Sequence, residues 1–257
     1  MKEQITSVHN QHVKDWRKLQ TRRGRKKFGQ YLLDGWHLVQ EASQSNQQLV
    51  ALIGTADELT QHEDIVARFQ NVYEVTSEVI KHITETSSPQ GIVAVAKLPN
   101  VREVPDAKQG AWLLLDRVQD PGNVGTMVRT ADAAGFAGVV ASNRTADFFN
   151  PKVVRSMQGS QFHLRLVVTD LKRWINDFKD AQHPVFGTQL NPQAKNFREV
   201  QPGNDFALVM GNEGQGMAAE LLSQTTTNLY IPMRGNAESL NVAVSAGILM
   251  FQLNREK

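Results

Sequence analysis

Three short apolar runs, each ending in a glycine- and polar-rich segment, constrain this chain most. Ala111-Trp-Leu-Leu-Leu115 leads to Asp120-Pro-Gly-Asn-Val-Gly-Thr-Met-Val-Arg129, and Phe206-Ala-Leu-Val-Met210 runs straight into Gly211-Asn-Glu-Gly-Gln-Gly216. Thr227-Asn-Leu-Tyr-Ile231 opens into Pro232-Met-Arg-Gly-Asn-Ala-Glu-Ser-Leu-Asn241. Apolar runs this short, bounded by turn residues, predict strands. Helical patterns follow the first and third loops, over Val124 to Ala134 before Gly135 and over Leu240 to Leu253. Strand, loop and helix in repeated order predict an α/β layer fold with a mainly parallel sheet, whose ligand site lies at the carboxyl ends of the strands.

The first part of the chain reads as a smaller α/β domain. Candidate strands are Gln30 to Asp34, Leu49 to Ile53, Asn71 to Val75 and Gly91 to Ala96, with helical patterns around Gly35 to Glu41, Gln61 to Phe69 and Ser77 to Thr84. Pro99 and Pro105 interrupt any continuous element between the halves. The expected division is a domain over 1–98, a linker over 99–109 and a second domain over 110–257.

Composition removes several classes of chemistry. The 257 residues contain no cysteine, which excludes thiol nucleophiles, disulfides and cysteine-ligated metals. The seven histidines show no His-Glu-x-x-His spacing, and no catalytic metal is expected. No glycine loop ends in Gly-Lys-Ser or Gly-Lys-Thr, and none has the dinucleotide order G-x-G-x-x-G, so neither a P-loop nor a dinucleotide fingerprint is present. The start, Met1-Lys-Glu-Gln-Ile, has no apolar signal core and no later run is long enough to span a bilayer, so a soluble cytoplasmic protein without a membrane partner is expected.

Net charge is only +2, yet Lys14, Arg17, Lys18, Arg22, Arg23, Arg25, Lys26 and Lys27 crowd one stretch, with Asp15 as its single acid and Trp16 among them. Taken alone, such a run is either a solvated helix and turn or a phosphate-attracting patch.

The three motifs, with Asn123 and Arg129 in the first, Glu213 in the second and Ser239 and Asn241 in the third, resemble those of the SpoU/TrmH class of SPOUT RNA methyltransferases from about Trp112 to Leu253. Phe28-Gly-Gln-Tyr-Leu-Leu-Asp-Gly-Trp-His-Leu-Val is similar to the opening of the L30e-like substrate-binding domain often joined to them, with Asp34-Gly35 where relatives commonly have Glu-Gly. The resemblance implies a SPOUT-type α/β knot with a C-terminal trefoil knot, behind a smaller N-terminal L30e-like α/β domain, and a homodimer packed partly through the last helix. It implies methyl transfer from S-adenosyl-L-methionine to an RNA ribose 2'-hydroxyl, with 23S rRNA favoured as substrate. A tRNA enzyme, or a non-catalytic RNA-binding ribosome-assembly factor that kept the fold, stands as the alternative.

It further implies catalytic roles for Asn123, Arg129, Glu213, Ser239 and Asn241, and cofactor contacts at Thr188, Gly211, Ile231, Met233 and Leu240. Beside that half, the cations Arg22, Arg23, Lys26 and Lys27 are read as RNA-binding, and Lys152 and Arg155 as meeting RNA or a partner subunit. Plain structural readings stand next to several of these. Asn123 also fits an N-cap, Arg129 an ion pair with Asp132, Glu213 a surface turn, Ser239 and Asn241 the cap of the last helix, and Ile231, Met233 and Leu240 core positions.

Overall fold

The computed structural model describes residues 2–84, 86–105, 109–189, 191 and 193–254; of the expected linker, Asp106 to Lys108 lie outside the described residues. Along the chain come β1 (Lys2–Ile5), α1 (Gln11–Lys18), α2 (Arg22–Phe28), β2 (Gln30–Asp34), α3 (Trp36–Gln44) and β3 (Leu49–Gly54). They are followed by α4 (Ala56–Gln61), α5 (Glu63–Val66), β4 (Val72–Val75), α6 (Ser77–Thr84) and β5 (Ile92–Lys97). Next are β6 (Ala111–Leu115), α7 (Pro121–Ala133), β7 (Gly138–Ala141), α8 (Pro151–Met157), β8 (Arg165–Val168), α9 (Leu171–Asp180) and β9 (Val185–Thr188). The chain closes with β10 (Lys195–Asn196), β11 (Phe206–Met210), α10 (Ala219–Leu222), β12 (Thr227–Tyr230) and α11 (Val242–Leu253).

Two compact units result, one of 1–99 with 149–162 and one of 100–148 with 163–257. The first holds a five-stranded mixed sheet in the order β1-β4-β3-β5-β2, antiparallel only where β5 meets β3 and β2. Its core gathers Val13, Trp16 and Leu19 of the first helical turn region with Ile53, Val79, Ile80, Ile83 and Val93. Helix α8 belongs to this unit although β6, α7 and β7 of the second unit precede it in the chain: the Phe149 ring meets Tyr31 edge-on at 4.9 Å.

The second unit is a seven-stranded, all-parallel sheet in the order β10-β12-β9-β11-β6-β7-β8. Strands β6 and β11 are buried along their whole length, as expected of central parallel strands covered on both faces. Helix α9 covers one face with Leu171, Trp174, Ile175 and Phe178, an i, i+3, i+4, i+7 stripe, and Trp174 lies 4.9 Å from Trp112. Residues Val101 and Arg102, inside the expected linker, bond to this unit: the Val101 carbonyl accepts from Val168 N (2.7 Å) and Arg102 Nη1 donates to Asn143 Oδ1 (2.8 Å).

Several sequence expectations need correction. The helix expected over Gln61 to Phe69 is instead the pair α4 and α5. Trp16 is buried against Tyr73 at 5.0 Å, so it is core and not an aromatic among surface cations. Arg25 is also buried, donating from Nη1 to the Leu19 and Gln20 carbonyls at 3.0 and 2.9 Å, where it satisfies the open carbonyl end of α1. Arg22, Arg23, Lys26 and Lys27 remain exposed on α2.

Candidate active site

Strands β6 and β11 pair in register up to Leu115 and Met210, so the first two loops leave the sheet side by side. Buried Asp116, the first residue beyond β6, accepts from Ala218 N (2.8 Å) and from its neighbour Arg117 Nε (3.1 Å). Arg117, at φ 57°, reaches the opposite loop, donating to Gln215 Oε1 (3.2 Å) and the Gly216 carbonyl (3.3 Å). In return Asn212 Nδ2 donates to the Arg117 carbonyl at 2.9 Å. None of these three residues stood out in the sequence, although an acid immediately past a buried strand is a signal that could have found Asp116.

The second loop is a tight closed turn. Asn212 and Gly216 exchange backbone hydrogen bonds of 3.0 and 2.9 Å, and the Asn212 carboxamide oxygen accepts from Gly214 N and Gln215 N. A Cβ on Gly211 would overlap the Met217 nitrogen and the Gly216 carbonyl carbon, and Gly216 sits at φ +66°, so both positions call for glycine.

This turn presents Glu213 to the first loop. Its carboxylate accepts from Gln119 N (3.3 Å), Asp120 N (3.1 Å), Asn123 Nδ2 (3.2 Å) and Asn212 Nδ2 (3.3 Å). Partial burial pushes its pKa up, but backbone donors at Glu213 itself and Asp120, the Asn123 amide and the Gln119 N–H outweigh that and hold the carboxyl below its ordinary value. Asn123 Oδ1 in turn accepts from Asn241 Nδ2 at 3.1 Å. Glu213, Asn123 and Asn241 therefore form one hydrogen-bond chain that joins all three motifs.

The caps of the two helices divide differently from the sequence expectation. Asp120, not Asn123, caps α7, accepting from Asn123 N at 2.9 Å, while Pro121 takes the first helical position. The Asn123 side chain is thereby released for the chain just described. Asn241 does cap α11, its oxygen accepting from Ala243 N (2.8 Å) and Val244 N (3.3 Å) while its nitrogen serves Asn123.

Beside this chain lies a cleft of about 230 Å3 between the ends of β9, β11 and β12 and the start of α11. Thr188, Gly211, Ile231, Met233 and Leu240 all line it, as do Glu213 and Ser239. Ile231, Met233 and Leu240 are half-buried, which places them on the cleft wall and not in the core. The Thr188 hydroxyl is turned inward to the Val209 carbonyl at 3.0 Å, tying β9 to β11. Asn123, Arg129 and Asn241 do not line the cleft.

Arg129 is exposed on α7 and has no hydrogen-bond or ion-pair partner among the described residues. The ion pair available to it, Asp132, instead holds His163 Nδ1 at 2.9 Å. No group of three or more His, Cys, Asp or Glu side chains among the described residues could hold a metal ion, and no helix among them is long and apolar enough to cross a membrane. Of the remaining expected residues, Lys152 is exposed on α8 and Arg155 is half-buried next to Asp34, both in the first unit.

Comparison with known proteins gives this site its context. Residues 110–251 match the SpoU rRNA Methylase family, and residues 10–94 match an MRM3-like substrate binding domain. The chain is 44% identical over 97% of its length, and 98% of the relative's, to the 23S rRNA (guanosine(2553)-2'-O)-methyltransferase RlmP of Bacillus subtilis. An AdoMet-bound rRNA methyltransferase from Sinorhizobium meliloti superposes with a TM-score of 0.87 at 31% identity, covering 98% of this chain and 97% of that one. An RNA 2'-O ribose methyltransferase superposes at 0.84 with 28% identity, covering 97% of each. With its three motif loops gathered at one sheet edge and its second unit matched nearly end to end, the chain belongs to the SpoU rRNA methylase family.

Proposed function

We propose that this protein transfers a methyl group from S-adenosyl-L-methionine to the ribose 2'-hydroxyl of a guanosine in 23S rRNA, the target that the name of the Bacillus subtilis relative specifies. The observation that carries the reading is the chain Glu213, Asn123, Asn241, which locks three motif loops around the mouth of one cleft.

The cleft fits the cofactor. Leu229, Ile231, Leu240 and Leu249 give it apolar walls for an adenine, and Gly211 leaves backbone where a side chain would intrude. Ile231, Met233 and Leu240 hold the nucleoside from the third loop, and Thr188 and Gly211 close the other side. When bound, the sulfonium supplies an electrophilic methyl and its own leaving group, so the protein's work is alignment and charge stabilisation.

Arg129 supplies the acceptor side. A guanidinium carries donors and no acceptor atom, so Arg129 acts as a donor fork for an RNA phosphate and as a positive charge beside the ribose 2'-oxygen, whose proton passes to solvent water as the methyl arrives, and not as a proton acceptor. That no described residue pairs with it leaves the fork available. Ser239, exposed on the cleft rim, contacts the incoming ribose.

The remaining assignments follow from surfaces. Arg22, Arg23, Lys26, Lys27 and Lys152 are exposed and bind the RNA backbone, with residues 1–98 as the substrate-binding domain and 110–257 as the methyltransferase domain. Helix α11 exposes Val244, Ile248 and Phe251 at 51%, 37% and 56%, a stripe spaced four and three residues apart, and we assign it to a homodimer interface. The return of α11 from the far strand β12 to α7 supports a knotted C-terminus, and rRNA as substrate places the enzyme in the cytoplasm.

The test is transfer of labelled methyl from S-adenosyl-L-methionine to 23S rRNA and to tRNA transcripts, with Arg129→Ala alongside. Label in rRNA that the mutant loses is expected; label in tRNA alone, or undiminished transfer by the mutant, refutes the substrate or the role of Arg129.

A further inference from the structure

The first unit contains a second cleft, of about 220 Å3, that no step of methyl transfer uses. It lies between the end of β2, the start of α3, the loop Thr86 to Gln90 and helix α8. The floor is preformed: Gln90 Oε1 accepts from Trp36 N at 2.8 Å and so caps α3 in place of a side chain from Gly35.

Its chemistry is concentrated on one wall. The Asp34 side chain is 11% exposed, and its Oδ2 accepts from the Thr86 hydroxyl at 2.8 Å. Arg155 Nη1 stands 3.9 Å from the same oxygen, too far for a hydrogen bond, and its side chain is 40% exposed. Asp34 Oδ1 has no hydrogen-bond partner among the described residues. An acceptor pair and a guanidinium fork thus stand side by side with bonding capacity unused. Burial pushes the Asp34 carboxyl upward, and the Thr86 bond and the Arg155 charge only oppose this; an acid kept in such a place is a mark of a binding site. At the mouth, exposed His37 is held by a 3.0 Å contact between its Nε2 and the Gln158 carbonyl, which fixes a ring face for stacking.

Resting on the reading that the substrate is RNA, we propose that this cleft receives an unpaired guanine base of that RNA, distinct from the nucleotide that is methylated. Guanine alone among the bases offers two adjacent donors, N1–H and the N2 amino group, next to the O6 acceptor. The carboxylate of Asp34 takes the donors and the Arg155 guanidinium takes O6, while His37 stacks on the ring. Asp34 presents acceptor oxygens, to which a phosphate has no donor to offer, and this assigns the cleft to a base and not to the backbone. Adenine and cytosine satisfy the carboxylate through a single amino group, so the site discriminates.

The experiment uses the full chain and fluorescein-labelled heptauridylates carrying a central guanosine, inosine or adenosine, read by anisotropy at fixed salt. Guanosine should bind about tenfold tighter than adenosine, and inosine, which lacks the N2 amino group, should fall between. Asp34→Asn should reduce the guanosine advantage to about twofold or less with the adenosine affinity kept, and Arg155→Gln, at a half-exposed position, should reduce it as well. Equal binding of guanosine and adenosine by the wild type, or a full advantage surviving in both variants, overturns the proposal. Methyl transfer to 23S rRNA by the wild type, run in parallel, separates the two readings: transfer without guanine preference removes only this cleft, and preference without transfer removes only the proposed enzyme activity.

Discussion

Replacing Asn123 with alanine separates a mechanistic residue from a structural cap. The Asn123 side chain donates to the Glu213 carboxylate and accepts from Asn241, and both bonds vanish in the variant. At about 1 kcal/mol net for each, the loops lose roughly 2 kcal/mol of mutual alignment, which lowers kcat about 30-fold if that alignment is realised in the transition state. Because Asn123 does not line the cleft, cofactor affinity should hold. Stability should fall by somewhat less than those 2 kcal/mol, since Asp120 keeps the cap of α7 and alanine is the better helix former by roughly 0.5 kcal/mol. The companion variant Asp120→Ala removes the cap itself and should cost about 1 kcal/mol, or about 3 °C in Tm. The assay is single-turnover methyl transfer with calorimetric cofactor binding and thermal melts. An Asn123→Ala enzyme with normal kcat, or one that has lost its cofactor affinity, would refute the reasoning.

Other expectations follow from the same geometry. Neutralising Arg22, Arg23, Lys26 and Lys27 together should weaken RNA binding and lower the slope of log K against log salt by about 3, measured by filter binding between low and moderate salt; an unchanged slope means a merely solvated face. Phe251→Glu with Ile248→Glu should convert a dimer to a monomer in sedimentation, and a dimer that persists moves the interface off α11. Because Glu213 titrates below its ordinary 4.5 in the folded protein, its contribution is complete above that value and is lost as pH falls through the lower folded one. Denaturant titrations should therefore show an acid limb that Glu213→Gln flattens, and an identical limb in both proteins contradicts the assignment.

What could be read from the sequence was set by chain-local patterns. Ala111–Leu115 and Phe206–Met210 are strands over the predicted residues, because continuous apolar runs between turn signals leave no other buried element of that length. Strands β7 and β8, at one end of the second sheet, give little strand signal in the sequence: each has only four residues, and the latter opens on the charged Arg165. The Leu171, Trp174, Ile175, Phe178 spacing of α9 is a helical stripe legible in the sequence, which the sequence expectations do not include. Long-range pairing was not legible. That Asp120 caps α7 and frees Asn123 depends on a choice between two good capping residues three apart, and only Glu213, ninety residues later, decides it. Likewise the charge run over 14–27 looks uniform, yet the buried carbonyl end of α1 draws Arg25 inward and leaves its neighbours in solvent. The attachment of α8 to the first unit has no local signal, since Phe149 finds Tyr31 across more than a hundred residues.

The most direct test of the central claim is where on the RNA the methyl group ends up. Wild-type protein, labelled S-adenosyl-L-methionine and a 23S rRNA transcript should give label at one guanosine whose 3' phosphodiester resists alkaline cleavage, because a 2'-O-methyl ribose cannot attack it. Label that maps to a base, with the backbone cleaving normally at that nucleotide, would contradict the account of the site as one built to present a ribose hydroxyl.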